Sequence, residues 1–162
     1  EERVESVYCW IDFFSTIQDS PSIIFWKYPR KNLNAPPKHG SMQFTLAPNL
    51  YYPSNYYDCD EFIEIIASRG IMKINQGTSI GNKMSESEIF PPIVIIRDGK
   101  VETYRDFEKD WKYSFINATN YFIEAVKHNK NPILSGEQAR SILKFNLSAI
   151  KSVEKGKEIF LD

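Results

Sequence analysis

The side chains that most often carry catalysis or bind metals are few and scattered in this sequence. His39 and His128 are its only histidines, and neither has a second metal-ligating residue at a usual spacing. Cys9 and Cys59 are its only cysteines, and they form no C-x-x-C motif. Both lie in strand-like sequence, which indicates two reduced thiols of a cytosolic protein. We therefore predict no metal site.

The richest carboxylate cluster is DCDEFIE, residues 58–64. On a strand, Asp60 and Glu64 would share a face, and glycosidases use two carboxylates roughly 5 to 9.5 Å apart. A catalytic pair also needs a cleft that raises the pKa of one carboxyl group. Charged residues on the solvent face of a strand are a far commoner arrangement. We interpret the cluster in that way and rank a small hydrolase third among the functional hypotheses.

The segment FWKYPRK, residues 25–31, interleaves aromatic rings with cations, a pattern that can stack the bases of a single nucleic-acid strand. The formal net charge of the chain is -1 at pH 7, however, and its cations form no long run. We therefore predict neither a nucleic-acid partner nor a membrane partner. The seven glycines are scattered and form no phosphate-binding loop, so we predict no cofactor-binding residue in this chain.

The elements that must position any site are strands first and helices last. Strand patterns run from residue 3 to about residue 106, with turns predicted at Arg69-Gly70, where Gly70 would supply a positive φ, and at Asp98-Gly99. Apolar residues then recur every three or four positions and predict a helix that ends near His128. A second helix is predicted from a capping box at Ser135 to a C-terminal glycine, Gly156, before a last strand.

This order predicts an α+β fold of one domain, residues 1–162, with no internal repeat and no long linker. We expect a largely antiparallel, mixed open sheet with both C-terminal helices packed on one face. The other face, which carries Tyr8 and Trp10, would be free for oligomerisation.

Two segments, residues 61–75 and 120–161, resemble the C-terminal domain of the Gfo/Idh/MocA family of NAD(P)-dependent oxidoreductases. The family's helix start Ser/Thr-Gly-Glu-x-(Ala/Gly)-Arg is matched from Ser135 to Arg140, and its Ala-Ile-x-Ser run is matched at residues 149–152. The family's strand turn E-I-x-G-x-x-G is matched between Glu64 and Gly70, with Ala67 in place of the usual glycine.

The resemblance implies a domain rather than a complete enzyme. Family members bind NAD or NADP on an N-terminal Rossmann domain and take a catalytic lysine from a Glu-Lys-Pro motif and a catalytic histidine from an Asp-x-Gly-x-His-x-x-Asp segment. No residue of this chain matches these motifs, so the resemblance assigns it no catalytic residue. It implies the substrate-side and oligomerisation domain of a cytoplasmic dehydrogenase, whose partners are the missing Rossmann domain, further copies of the chain and a sugar, polyol or related hydroxylated small molecule.

Four residues at loop flanks are candidates for substrate contacts: Lys27, Tyr28, His39 and Tyr56. Each could hydrogen-bond to hydroxyl or carboxylate groups. A position on a solvated loop or sheet rim is the alternative for each of them. For the whole chain, the alternative is a free-standing interaction or dimerisation module without catalytic activity.

Overall fold

The computed structural model describes residues 3–12, 21–45, 62–75, 91–106 and 111–161. Within these ranges the chain forms eight strands and two helices. They are β1 (Ser6–Ile11), β2 (Ser22–Lys27), β3 (His39–Phe44), β4 (Phe62–Ala67), β5 (Gly70–Asn75), β6 (Ile93–Arg97), β7 (Lys100–Tyr104), α1 (Trp111–Lys127), α2 (Gly136–Lys155) and β8 (Ile159–Phe160).

The α+β class and the antiparallel pairing of the strands are confirmed. The described strands form two four-stranded sheets, in the orders β3-β2-β1-β8 and β4-β5-β6-β7. They belong to two compact units: the first comprises Glu1–Pro48 and Asn131–Asp162, and the second comprises Asn49–Lys130. The strands thus form two sheets rather than the one open sheet expected, and α1 and α2 belong to different units rather than to one face of one sheet. Alternation in a sequence shows which face of a strand is apolar but not which strands pair.

The core of the first unit lies between its sheet and α2. Val7 and Cys9 of β1 are buried against Ala149 of α2, and Ile24 and Phe145 pack around them. Because successive residues of a strand point to opposite faces, Tyr8 and Trp10 lie on the face away from α2. The predicted alternation of β1 is therefore confirmed.

Local signals at both ends of α2 explain where that helix begins and ends. The Ser135 hydroxyl accepts a hydrogen bond from the backbone N–H of Gln138 at 3.3 Å, and the Gln138 side chain accepts one from the backbone N–H of Ser135 at 2.8 Å. Gly156 follows the helix with a φ of 59°, a left-handed conformation that glycine adopts without steric cost. The predicted capping box and C-terminal glycine are both confirmed.

The sheet of the second unit is built from consecutive hairpins. Asp98 and Gly99 have φ values of 51° and 74° at the β6–β7 turn, as a two-residue hairpin turn requires. The expectation that Gly70 has a positive φ is wrong, since the described residues with positive φ do not include it. Gly70 is the first residue of β5, where a Cβ atom would lie 2.5 Å from the carbonyl oxygen of Ile96. Close strand packing, not turn geometry, therefore explains this glycine.

The first helix, α1, ends as the sequence predicts. Asn129 has a φ of 51°, and Lys130 N donates to the carbonyl oxygen of Ala125 at 2.8 Å, which closes the last turn. Neither of the two described helices has the length and apolarity needed to cross a bilayer.

Candidate functional site

Three of the four predicted substrate contacts lie at one end of the first unit's sheet. Lys27 ends β2 and stands directly opposite His39, the first residue of β3. Tyr28 follows Lys27, and its backbone N–H donates to the carbonyl oxygen of Lys38 at 3.0 Å. The structure therefore brings Lys27, Tyr28 and His39 together at the neck of the β2–β3 loop. Tyr56 lies outside the described residues.

The Lys27 side chain belongs to the sheet face opposite α2. Lys27 pairs with Ser6, which pairs in turn with Phe160 of β8, and directly opposed residues of a sheet share a face. The same pairing places Tyr8 opposite Phe25 on this face. We call this surface the aromatic face and define it by Tyr8, Trp10, Phe25 and Phe160. Trp10 and Tyr8 meet edge to face with their ring centroids 5.2 Å apart.

A polar cluster fixes the position of the Lys27 ammonium group. Lys27 Nζ lies 2.7 Å from Oε1 of Glu158, and the Ser6 hydroxyl donates to the same oxygen at 2.6 Å. The ammonium group also lies 5.3 Å from the centroid of the Phe160 ring, within range of a cation–π interaction. Lys27 is therefore held by the last strand as well as by its own.

The charges of this cluster stabilise one another. The hydrogen bond to Glu158 raises the pKa of Lys27 above its ordinary value. The bonds from Lys27 and then from Ser6 lower the pKa of Glu158. The two side chains are 45% and 40% exposed, so solvent screening limits the pair to about 1 kcal/mol or less. The cluster orients side chains and contributes little to stability.

The neck of the loop offers three side chains that can donate hydrogen bonds. His39 is exposed, Tyr28 is half-buried, and Lys27 carries three donors, of which the Glu158 bond uses one. Donors of this kind can bind and orient hydroxyl or carboxylate groups next to the aromatic face.

Ser152 is a structural residue that the sequence analysis noted only as part of a motif. Its side chain is fully buried, and its hydroxyl accepts a hydrogen bond from Cys9 N at 3.1 Å and donates one to the carbonyl oxygen of Lys157 at 2.7 Å. These two bonds join the end of α2 to β1, in addition to the short pairing of β1 with β8. A serine on the apolar stripe of a helix was the available signal, because a buried hydroxyl needs partners.

Other chemically suggestive residues have structural partners. Glu64 forms a cross-strand ion pair with Lys73 at 2.9 Å, in keeping with the solvated-strand interpretation, while Asp60 lies outside the described residues. His128 Nδ1 lies 2.9 Å from the carbonyl oxygen of Glu124 at the end of α1. No group of three or more His, Cys, Asp or Glu side chains that could hold a metal occurs within the ranges given above.

Comparisons with known proteins relate the fold to dehydrogenases. No family model and no curated protein matches the chain. Among solved structures, the WlbA dehydrogenase from Bordetella pertussis in complex with NADH and UDP-GlcNAcA matches 99% of the chain at 15% identity, with a TM-score of 0.60. An oxidoreductase from Sinorhizobium meliloti matches 99% at 10% identity and a TM-score of 0.71. The WlbA dehydrogenase from Chromobacterium violaceum, also with NADH and UDP-GlcNAcA, matches 99% at 17% identity and a TM-score of 0.56.

At these identities the comparisons show a shared fold. The matched region is 39%, 47% and 41% of the three solved chains respectively. The chain therefore has the fold of a part of these oxidoreductases and spans less than half of their length.

Proposed function

We propose that residues 1–162 form the substrate-side and oligomerisation domain of an NAD(P)-dependent dehydrogenase of the Gfo/Idh/MocA family. The main support for this proposal is the structural match: 99% of the chain aligns with a part of three oxidoreductase chains, and that part is 39% to 47% of their length. The helix-start motif from Ser135 to Arg140 supports the same assignment. The substrate is a sugar, polyol or related hydroxylated compound. NAD or NADP binds to a Rossmann domain outside these residues.

In this proposal the substrate lies at the neck of the β2–β3 loop. Tyr28 and His39 donate hydrogen bonds to its hydroxyl groups, and Tyr56 stays a predicted substrate contact that lies outside the described residues. Lys27 orients the site because its ammonium group is already held by Glu158 at 2.7 Å. The aromatic face beside the site packs against a second copy of the chain in a homo-oligomer. We place the protein in the cytoplasm, where Cys9 and Cys59 stay reduced.

Calorimetric titration of the 162-residue chain tests whether these residues bind the substrate and not the cofactor. NADH and NADPH should show no specific binding, whereas a member of a panel of sugars, sugar acids and polyols should bind. A double substitution, Tyr28→Phe with His39→Ala, should weaken that binding about tenfold, because two hydrogen bonds to the ligand are lost. Tight binding of NADH or NADPH to the chain would refute the claim that the cofactor site lies elsewhere.

The aromatic face also favours a second candidate function, a free-standing interaction module. Trp10 is 59% exposed and Phe25 and Phe160 are exposed beside it, which is typical of surfaces that partners cover. The coding sequence upstream of residue 1 distinguishes the two functions. A G-x-G-x-x-G motif between a strand and a helix there supports the dehydrogenase, whereas a gene that starts near residue 1 supports the module.

A further inference from the structure

A row of polar residues crosses the first unit's sheet at the end nearest the β2–β3 loop. His39 of β3 stands opposite Lys27 of β2, and Lys27 stands opposite Ser6 of β1. Ser6 stands opposite Phe160 of β8. Directly opposed residues share a face and lie about 5 Å apart. We call His39, Lys27 and Ser6 the polar row, and its last neighbour is therefore an aromatic ring.

Glu158, which immediately precedes β8, adds a hydrogen-bond acceptor to the polar row. Its Oε1 atom lies 2.7 Å from Lys27 Nζ and accepts a hydrogen bond from the Ser6 hydroxyl at 2.6 Å. Ser6 is only 1% exposed, so it holds the carboxylate in place without reaching a ligand itself. The side chains of Lys27 and Glu158 are 45% and 40% exposed. A ligand can therefore reach an ammonium donor and a carboxylate acceptor that lie side by side.

A donor and an acceptor held this close match two neighbouring hydroxyl groups of one ligand. The oxygen of the first hydroxyl accepts a hydrogen bond from the ammonium group, and the second hydroxyl donates one to the carboxylate. Both bonds have a charged partner, which makes them stronger than bonds between neutral groups. The exposed Phe160 ring, with its centroid 5.3 Å from Lys27 Nζ, offers an apolar surface to the C–H groups of the same ligand. Adjacent hydroxyl groups on a partly apolar ring are a feature of sugars and cyclic polyols.

The same pair of side chains disfavours an acidic ligand. A carboxylate bound to Lys27 would lie beside the carboxylate of Glu158, and like charges at such a separation repel each other. Glu5 is a second carboxylate close enough to act on Lys27. A pair of uncharged hydroxyl groups meets no such repulsion and makes use of both partners. The arrangement therefore distinguishes ligands by their charge.

We propose that Lys27 and Glu158 bind a vicinal diol of an uncharged sugar or cyclic polyol, and that Glu158 discriminates against sugar acids. The inference deepens the proposed function and rests on it. It adds Glu158 and Phe160 to the substrate contacts and narrows the substrate to the uncharged members of its class. The polar row lies at the end of the aromatic face away from Trp10, which leaves the Trp10 end for a second copy of the chain.

Matched pairs of ligands test the discrimination by charge. The probes are glucose, galactose and mannose, each compared with the uronate that carries a carboxylate at carbon 6. They are titrated calorimetrically at about pH 8, above the usual titration range of histidine side chains. We expect the wild type to bind one of the sugars about tenfold more tightly than its uronate. A wild type that prefers the uronates would show that charges outside the polar row decide and would overturn the inference.

The variant Glu158→Gln keeps the shape of the side chain and removes its charge. It should bind the sugar about fivefold more weakly, because a neutral acceptor replaces a charged one, and should bind the uronate more tightly, because the repulsion is gone. The matched control is Glu64→Gln, since Glu64 forms an ion pair with Lys73 at 2.9 Å in the second unit. The control should bind both ligands as the wild type does. An unchanged preference in Glu158→Gln, or the same change in the control, would overturn the inference.

Deoxy analogues of the bound sugar, each lacking one hydroxyl group, test the diol itself. Removal of either of two adjacent hydroxyl groups should weaken binding to the wild type about tenfold. Losses at hydroxyl groups that are not adjacent, or no binding of any sugar, would overturn the inference.

The outcomes also separate this inference from the proposed function. Binding of uronates alone removes the inference and leaves the substrate-side domain standing. Tight binding of NADH or NADPH to the chain, together with the expected preference for uncharged sugars, removes the proposed function and leaves the diol site standing.

Discussion

A single buried hydroxyl group connects the helix and the sheet of the first unit. Ser152 satisfies both the N–H of Cys9 and the carbonyl oxygen of Lys157, at 3.1 and 2.7 Å. An apolar replacement would leave both groups without these bonds at a position where the Ser152 side chain is fully buried. Buried polar groups without partners are costly, so the identity of this residue matters more than its volume.

The substitution Ser152→Ala should lower the free energy of unfolding by about 1–3 kcal/mol. Urea denaturation followed by circular dichroism measures the change. Ser141→Ala is the matched control on the same helix, because the exposed Ser141 hydroxyl only donates to the carbonyl oxygen of Glu137 at 3.1 Å. The control should change stability by less than about 0.5 kcal/mol. Equal effects of the two substitutions would contradict the role given to Ser152.

The Lys27–Glu158 pair predicts a pH dependence with a definite sign. The pKa of Glu158 is lowered from 4.5, so its stabilising effect is complete above pH 4.5 and is lost as the pH falls through the lowered value. The pKa of Lys27 is raised from 10.5, so its effect is complete below pH 10.5 and is lost as the pH rises through the raised value. Between these limits the pair contributes a constant amount.

Glu158→Gln should therefore destabilise the chain by about 1 kcal/mol or less at neutral pH, because both partners are more than a third exposed. The difference from the wild type should shrink as the pH falls below 4.5. Thermal melts of both proteins between acidic and neutral pH measure it. A difference that grows on acidification would show that the pair is not the stabilising contact.

At the residue scale, the sequence predicted which side chains could bind a ligand but not what holds them. Lys27, Tyr28 and His39 were chosen as residues at loop flanks, and strand pairing brings them together. Glu158 was not chosen because its partner lies in a distant segment of the chain. Contacts of this kind depend on the fold and leave no local pattern in the sequence.

At the element scale, a glycine allows β2 and β3 to share an aromatic side chain. Gly40 lies opposite Trp26, and a Cβ atom at position 40 would be 2.2 Å from Cζ2 of the indole ring. The same ring packs edge to face on Phe145 of α2, with centroids 5.7 Å apart. Trp26 therefore links β3 to α2 across the bare backbone of Gly40.

Replacing Gly40 with alanine should push the indole ring off β3 and destabilise the chain by about 1–3 kcal/mol, as overpacking does. Gly136→Ala at the first position of α2 is the matched control, because nothing lies within 4 Å of its added Cβ. The control should be neutral or slightly stabilising. Denaturant titration with Trp fluorescence reports both effects, and an unchanged midpoint for Gly40→Ala would contradict the packing described.

The elements themselves were predictable where local chemistry determines them. The capping box at Ser135, the glycine after α2 and the Asp98-Gly99 turn each depend on a few neighbouring residues. The division of the strands into two sheets depends on pairing between distant segments. Gly70 shows the same limit. A glycine is needed there because a Cβ atom would collide with the carbonyl oxygen of Ile96, which lies on another strand.

At the scale of the whole molecule, the first unit presents the aromatic face on one side of its sheet. If copies of the chain associate through this face, as proposed, Trp10→Lys should shift the chain toward the monomer, because it would place a charge within that contact. Light scattering at several concentrations measures the change. Ile133→Lys is the control, since Ile133 is also exposed but belongs to the segment that connects α1 and α2 in the sequence. A wild-type chain that stays monomeric at high concentration would refute the oligomer.

The order of segments in the first unit also affects how the chain folds. Its sheet joins β1, near the start of the chain, to β8, near the end, and the second unit occupies the sequence between them. During synthesis, β1 leaves the ribosome long before α2 and β8 exist, so α2 cannot cover its apolar face until the segment that follows the second unit has been made. The second unit draws its residues from one continuous segment and can fold first. We therefore expect the first unit to fold after the second, and removal of β8 to destabilise β1, with which it pairs.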